Sequence, residues 1–342
     1  MAELDSPQQH PKLYKPTGDL VILANDGEAT TAFRVHTVIL AEHSPVFAGM
    51  LALPVVDDDA MEKYDDVPLV RLADSAQDLA ALLEVFYTPA HPQFKASDRD
   101  FAEHVYPLAM IAAKYQVDSL CRAVAEHLKS QWPTTLEQLL KDTRTVPSHL
   151  PRGRMNLAFP EPAAAIRLAT DLNVPEILPM AYYVLATYPF DKATRTQPWN
   201  FRRPRWHLLH EDECLRAYRG KLELMEENLN MELSYQLDDG DCNHMAPGNY
   251  IPGSLPCGRV VEGIKANRTH ADFSGISAAT KSFARLDPLG SAAQAYRDGV
   301  VRSLCFACKA KMKAKFEVKV KELWQGLPDI FSLPQAFASS DS

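Results

Sequence analysis

Cysteines in the C-terminal part of this 342-residue chain are the side chains best suited to chemistry. Cys242 and Cys257 border a segment rich in Gly, Pro and Asn, and Cys305 and Cys308 form a C-x-x-C pair. Such a pair can bind one metal ion from a tight turn, and two cysteines from a loop can complete a tetrahedral site. The spacing therefore predicts a structural zinc site formed by these four thiols.

The sequence also allows other roles for these four cysteines. His244 is the best replacement for Cys257 as a ligand, and His270 is a further substitute. The main alternative to a metal site is four ordinary buried thiols, because cysteine is among the most buried residue types. A thioredoxin-like redox role is disfavoured, because no βαβ pattern surrounds Cys305.

The residues after the C-x-x-C pair must hold it in place. Their alternating lysines suggest a strand by period alone, but buried-type side chains recur at every fourth position, which predicts a helix. These positions are Leu304, Cys308, Met312, Phe316, Val320 and Trp324. The six lysines from Lys309 to Lys321 spread around such a helix, which favours a solvated face over a nucleic-acid contact.

Two further helical regions precede the cysteines. Residues 211–237 predict one long helix with an apolar stripe of Leu215, Leu222, Met225, Leu229 and Leu233. Earlier in the chain a helix–turn–helix pattern occurs twice, in which Ala112, Val117, Leu120 and Leu128 recur as Ala169, Val174, Ile177 and Leu185. We expect a short helical extension here, because a repeat array usually needs about three copies or more.

The N-terminal part predicts a small sheet with helices. Two β-type runs, residues 19–23 and 31–35, are joined by the turn-like Asn25-Asp26-Gly27 and predict a hairpin. The hairpin leads into residues 35–51, which are apolar at helical spacing and restart at Ser44 and Pro45, a capping pair. A third strand at residues 69–72, a helix from Ser75, and helices at residues 101–115 and 118–130 complete an α+β layout.

These N-terminal motifs together resemble the BTB/POZ domain over residues 18–130. The positions of the family pattern are filled by Asp19, Phe33, His36, Leu40, Ser44 and Phe47, and further on by Tyr115 and Leu120. The C-terminal region resembles that of a group of fungal BTB-containing proteins. In that group, scattered cysteines precede a C-x-x-C helix and a closing segment that corresponds here to Trp324, Leu327 and Pro328.

The resemblance implies a protein–protein interaction function, either as an oligomerisation domain or as a substrate adaptor for a cullin-type ubiquitin ligase. Family dimers often bury a charge pair between the Asp before the first strand and a basic residue after the His. Here Asp19 matches, but Thr37 replaces the basic residue. We therefore expect weak or alternative dimerisation and other donors, or solvent, at Asp19. The alternative function is a transcription-associated regulator that contacts nucleic acid through the basic C-terminal helix.

The composition and the motifs of the chain limit which functions and cellular locations we expect. The chain has 46% hydrophobic residues and a net charge of -8, which argues against nucleic-acid binding through the whole surface. No apolar run approaches a membrane span and the N-terminus is acidic and polar, so we expect an intracellular protein of the cytoplasm or nucleus with reduced cysteines. The sequence contains no phosphate-binding glycine loop, G-x-S-x-G or H-E-x-x-H motif, so we expect no enzyme activity.

The predicted fold class is α+β, with a BTB/POZ domain of a small sheet covered by helices, followed by a mainly α-helical C-terminal region. Four parts are expected along the chain. Residues 1–17 form a flexible arm, residues 18–130 the BTB/POZ domain, residues 131–190 a helical extension, and residues 191–342 a helical region with the cysteine site.

Overall fold

The computed structural model describes residues 7–27, 29–53, 62–88, 94–95, 97–144, 159–188, 204–234, 236–237, 242, 256–266, 288–289 and 291–334. For residues 142–144, 231–234, 264–266 and 291–296 it describes the backbone only. The chain divides into two compact units, residues 1–128 and residues 129–342. The finer division of the second unit at residue 190 stays a prediction.

The first unit contains a five-stranded mixed sheet with the strand order β1-β3-β2-β5-β4. β2 pairs antiparallel with β3 as the predicted hairpin, β1 pairs parallel with β3, β5 pairs parallel with β2, and β4 pairs antiparallel with β5. The strands are β1 (Gln8–Tyr14), β2 (Leu20–Asn25), β3 (Thr30–Val35), β4 (Lys63–Tyr64) and β5 (Val67–Arg71).

The prediction of a flexible arm over residues 1–17 is wrong for residues 8–14, which form the edge strand β1. Leu13 is buried, and Lys15 N–H donates to the Arg34 carbonyl at 2.8 Å directly after the strand. Pro11 lies where the register with β3 shifts between Gln9 and Tyr14. Proline is tolerated at such irregular points of an edge strand, so the prolines that suggested disorder do not prevent pairing.

The helix predicted at the centre of the first unit begins after β3 and is broken in two, as α1 (Thr37–His43) and α2 (Pro45–Leu51). The break lies at Ser44, which caps α2. Its Oγ accepts a hydrogen bond from Phe47 N–H at 3.1 Å, and Pro45 occupies the first turn of α2. This is the predicted N-terminal cap, in which a side chain satisfies a backbone donor that the helix leaves unpaired.

Three more helices complete the first unit: α3 (Ala76–Tyr87), α4 (Phe101–Lys114) and α5 (Asp118–Ser130), which ends at the border of the second unit. Ser75 caps α3 by accepting from Asp78 N–H at 3.3 Å, as predicted. α3 packs on β1, β2 and α4 and buries the predicted apolar side chains Leu79, Leu82, Leu83 and Phe86. Helices therefore cover a small sheet, which is the α+β layout expected from the sequence.

The second unit is helical. Its helices are α6 (Leu136–Arg144), α7 (Pro162–Asp171), α8 (Leu178–Thr187), α9 (Glu211–Ser234), α10 (Cys257–Ala266), α11 (Ser291–Arg302) and α12 (Phe306–Ile330). α8 is buried along its length from Met180 to Ala186 and packs against α7, α9 and α12. It is therefore the central helix of this unit.

Three helices end with the same backbone turn. The residue after the cap has a left-handed φ of 48–54°, at Gln116 after α4, Asn173 after α7 and Ser332 after α12. The next N–H makes the 6→1 hydrogen bond of a Schellman motif, from Val117 to Ala112, Val174 to Ala169 and Leu333 to Pro328, at 2.7–2.8 Å. The turns after α4 and α7 are the two turns of the helix–turn–helix pattern that occurs twice in the sequence. Each is followed by the second helix of its pair.

The apolar stripe predicted for α9 is wrong as a core face. Leu215, Leu222, Met225 and Leu229 are each 44–52% exposed, and the side chain of Leu233 lies outside the described residues. The buried side chains of α9 are instead Glu213, Ala217, Leu224 and Asn228, with Gly220 also buried between them. α9 also ends at Ser234, because Gln236 and Leu237 are not helical.

Close contact with one aromatic ring explains which face of α9 is buried. A Cβ placed on Gly220 would lie 2.1 Å from Cδ1 of Phe331, whose ring is fully buried. Only a glycine allows the helix backbone to approach the ring so closely. Glu213, on the same face, accepts from Arg167 at 3.1 Å, so burial of its charge is compensated by an ion pair.

Gly220→Ala should therefore destabilise the second unit by about 1–3 kcal/mol, because the new methyl group overpacks a rigid ring. The matched control is Gly263→Ala in α10, where an added Cβ meets nothing within 4 Å. That variant should be neutral or should stabilise by up to about 1 kcal/mol through helix propensity. Urea unfolding of both variants tests the contact, and equal effects would show that the ring moves aside at little cost.

Phe47→Ala should destabilise the first unit by about 3–5 kcal/mol, because it leaves a cavity in a packed core. Phe47 is fully buried and its ring stacks on Tyr115, with ring centres 4.3 Å apart. Val38→Ala on the same pair of helices is the control, since Val38 is 69% exposed and should change the melting temperature little. An unchanged melting temperature of Phe47→Ala would contradict the core assignment.

Candidate functional site

His36 links three segments of the first unit. Its backbone N–H donates to the Tyr87 hydroxyl at 2.9 Å, and its ring Nδ1 lies 2.9 Å from the same oxygen. Its ring Nε2 lies 3.0 Å from the Thr17 hydroxyl. The imidazole therefore joins the loop before β2 to the start of α1 and the end of α3, which gives it a structural role.

A second set of contacts joins α2 to the end of α4. The Ser44 hydroxyl donates to the Tyr115 carbonyl at 2.6 Å while its oxygen caps α2, and the Phe47 ring stacks on the Tyr115 ring at an angle of 7°. The Tyr115 hydroxyl donates to Asp74 at 2.6 Å. Burial and then the Asp74 carboxylate raise the pKa of Tyr115, so the phenol remains a proton donor at physiological pH.

The remaining residues of the predicted BTB pattern have core positions. Phe33 and Leu40 are fully buried and Leu120 is nearly so. The sequence analysis did not identify the bond between Tyr115 and Asp74. A single sequence carries no signal for it, because the two residues are far apart in the chain and each is common on protein surfaces.

Asp19 uses donors from its own chain. Its two carboxylate oxygens accept from the Thr37 N–H and the Thr37 hydroxyl, both at 2.7 Å. Burial alone raises the pKa of Asp19, but the Thr37 hydrogen bonds outweigh it and bring the pKa below its ordinary value. The residue that replaces the basic partner thus supplies two hydrogen bonds, and the carboxylate needs no cation from a second subunit.

The four predicted cysteines of the second unit lie together. Their sulfur atoms are all within 4.8 Å of one another, and all four residues are buried. Cys257 is the first residue of α10, Cys305 is the cap residue before α12, and Cys308 lies in the first turn of α12. Cys242 belongs to the segment that precedes α10, and its sulfur lies 4.0 Å from that of Cys305.

Backbone donors also point at these sulfur atoms. Cys257 N–H donates to the sulfur of Cys242 at 3.4 Å, and Cys305 N–H donates to the sulfur of Cys257 at 3.2 Å. Both N–H groups lie at the starts of helices, where unpaired amides and the helix dipole stabilise negative charge. These two N–H groups therefore offset part of the cost of a negative charge on the sulfur atoms of Cys242 and Cys257.

Apolar side chains from three helices enclose the cysteines: Val261 of α10, Val300 of α11, Leu304 before α12, and Met312 and Phe316 of α12. Burial raises the pKa of Cys257 to about 11 and also raises that of Cys308. Without a cation the thiols of Cys257 and Cys308 would be neutral at pH 7. A bound metal ion supplies the positive charge that makes several buried thiolates stable together.

The donor set fits zinc. Four thiolates around Zn²⁺, each about 2.3 Å from the metal in a tetrahedron, have sulfur atoms roughly 3.8 Å apart. The observed spacing of up to 4.8 Å needs a small contraction to reach that geometry. All four cysteines are free of disulfide bonds. His244 and His270, the substitute ligands considered from the sequence, lie outside the described residues.

The region after the C-x-x-C pair is helical, as predicted. α12 buries Cys308, Met312, Phe316 and Val320 at every fourth position. Two of its lysines pair with glutamates of the same helix, Lys319 with Glu322 at 2.6 Å and Lys313 with Glu317 at 3.9 Å, and Lys315 donates to the Gln236 carbonyl. The two ion pairs offset part of the basic charge, which supports a solvated helix face.

Comparison with known families agrees with the fold of the first unit. Residues 12–131 match the family model of the BTB/POZ domain. No curated protein matches the sequence. The match and the sheet with its helices define a protein–protein interaction module, which by itself is not an enzyme. The chain is a BTB/POZ domain-containing protein with a mainly helical C-terminal region, so the predicted family and fold class are confirmed.

Among the described residues, no helix has both the length and the apolar character needed to cross a membrane.

If the four cysteines bind zinc, purified full-length protein should contain about one equivalent of the metal, and Cys305→Ser or Cys308→Ser should abolish that content. Cys121→Ser and Cys214→Ser are matched controls, because both thiols are free and only half-buried, outside the cluster. Elemental analysis measures the metal. Less than about a tenth of an equivalent, with all four thiols reactive to a maleimide in the folded protein, would leave ordinary cysteines.

Proposed function

We propose that this protein is a non-enzymatic adaptor whose BTB/POZ domain binds another protein, with the scaffold subunit of a cullin-type ubiquitin ligase as its partner. The C-terminal unit, held by a structural zinc ion, is then the part that meets the client. Self-association through the BTB/POZ domain is the competing function.

The hydrogen bonding of Asp19 is the observation that favours a different protein over a second copy as the partner of this domain. In the dimers that the family resemblance implies, this Asp is neutralised by a basic residue. Here both of its oxygens accept from Thr37, so pairing with a second copy would gain no ion pair at this position. This leaves the domain free to use its surface for a protein of another kind.

Two large apolar side chains support a contact surface on the domain. Val38 on α1 and Leu53, just after α2, are each 69% exposed, the highest values among the large apolar side chains described for the first unit. A partner that covers these two side chains would remove their apolar area from water, which favours binding.

The zinc ion has a structural role in this proposal. The cysteine cluster connects α10 and α12 with the segment around Cys242, whose Gly and Pro content gives it few means of holding its own conformation. Metal removal by a chelator should loosen this unit and leave the BTB/POZ domain folded, because all four thiols lie outside residues 12–131.

The experiment is capture of a purified cullin scaffold subunit by the full chain. Val38→Asp and Leu53→Asp should each reduce capture at least about tenfold, because each places a charge in an apolar contact. Val318→Asp is the matched control, since Val318 is 54% exposed but belongs to α12. Unchanged melting temperatures would show that the variants act on binding.

Two results would count against the proposal. Failure of the wild-type chain to capture the cullin subunit would remove that partner. Capture that is equally strong in Val38→Asp, Leu53→Asp and Val318→Asp would place the contact on another surface.

A further inference from the structure

α9 presents a continuous apolar face to solvent. Five large side chains of this helix are 44–52% exposed: Leu215, Tyr218, Leu222, Met225 and Leu229. The opposite face of the same helix is buried in the second unit, so α9 already has its place in the fold. Within the described part of the chain, the exposed face is therefore not part of the core.

The spacing of these residues is that of a coiled-coil seam. They are separated by three, four, three and four positions, which assigns Leu215, Leu222 and Leu229 to the a positions and Tyr218 and Met225 to the d positions of two heptads. This narrow two-position stripe is the pattern that packs against one other helix. A stripe that faced the core of a globular unit would be wider.

The charges beside the seam specify the orientation of the second helix. Arg219 and Glu226 occupy successive e positions and both are exposed. In an antiparallel pair of identical helices, e positions face e positions. The register that packs Leu222 against Met225 of a second copy also packs Tyr218 against Leu229 of that copy, and it sets Arg219 opposite Glu226.

The two-fold symmetry of such a pair doubles every contact. Four apolar layers form, and two Arg219–Glu226 ion pairs flank them, one from each copy to the other. In a parallel pair, Glu226 would instead face Lys221, whose ammonium group donates to the Tyr188 carbonyl of its own chain at 2.6 Å. Arg219 would face Cys214, which offers no charge. The antiparallel pairing is thus the one that uses both exposed charges.

We propose that a second copy of this chain covers the exposed face of α9, as an antiparallel, two-fold symmetric helix pair. This interface lies wholly in the second unit and is independent of the BTB/POZ surface proposed for partner binding. It supplies a self-association route that does not require the usual charge pair at Asp19. The short seam of two heptads implies a weak, reversible dimer.

Sedimentation equilibrium of the full-length protein over a range of concentrations tests the proposal. Leu222→Glu should abolish the dimer. Arg219→Glu and Glu226→Arg should each weaken it on the order of tenfold, because each variant creates two like-charge contacts in the symmetric pair. The double variant with both changes should restore the wild-type dissociation constant, because it exchanges the two charges.

Val318→Glu is the control for a charge introduced on an exposed apolar position of another helix, and it should leave the dimer intact. Circular dichroism should give the same melting temperature for all these surface variants. A chain that remains monomeric at all concentrations would overturn the proposal. So would a dimer that persists in Leu222→Glu, or charge variants that are not rescued by the double exchange.

Cullin capture distinguishes this proposal from the proposed function. Leu222→Glu should keep wild-type capture per chain, and Val38→Asp should keep the wild-type dimer. Loss of both properties in either variant would show that the two surfaces are not independent and would overturn the separate α9 interface.

Discussion

The convergence of four thiols is the constraint that ties the last three described helices of the C-terminal unit together. Cysteine sulfur atoms from a loop, the start of α10 and the start of α12 meet within 4.8 Å, and the side chains around them come from α10, α11 and α12. One shared centre, with backbone N–H groups directed at two of the sulfur atoms, joins these segments. A structural metal site usually has this role.

The BTB/POZ domain relies on a different kind of connection. Short polar contacts at helix ends, made by Ser44, Tyr115 and His36, hold its helices against one another and against the sheet. Asp19 makes a contact of the same kind, because it accepts two hydrogen bonds from Thr37, the first residue of α1. Both carboxylate oxygens of Asp19 are thus used within one chain.

α9 shows how one helix can serve two surfaces. Its small and polar face, with Gly220 against the Phe331 ring and Glu213 against Arg167, is the face that the fold buries. Its large apolar side chains point outward at coiled-coil spacing. The face with Gly220 is the buried one because an aromatic ring can approach a glycine much more closely than a leucine. The second face is then available for association.

Much of the fold could be predicted because its signals are local. The hairpin turn at Asn25-Asp26-Gly27, the caps at Ser44 and Ser75, and the four-residue period of α12 each depend on residues within one or two turns of chain. The C-x-x-C pair and two further cysteines likewise identified the four residues that the fold brings together. Helix and turn formation depend mainly on such neighbouring residues, so one sequence is enough to determine them.

Only the tertiary structure decided the features that join distant segments. Residues 8–14 form a strand because β3 offers an edge to pair with, although their own prolines suggest an arm. The apolar stripe of α9 faces solvent because Phe331 requires a glycine opposite it, and the periodicity of a helix does not say which neighbour it meets. The sulfur distances and the Tyr115–Asp74 bond depend on the same long-range packing. A sequence alone therefore determines which side chains can make such contacts, and the folded chain determines which of them do.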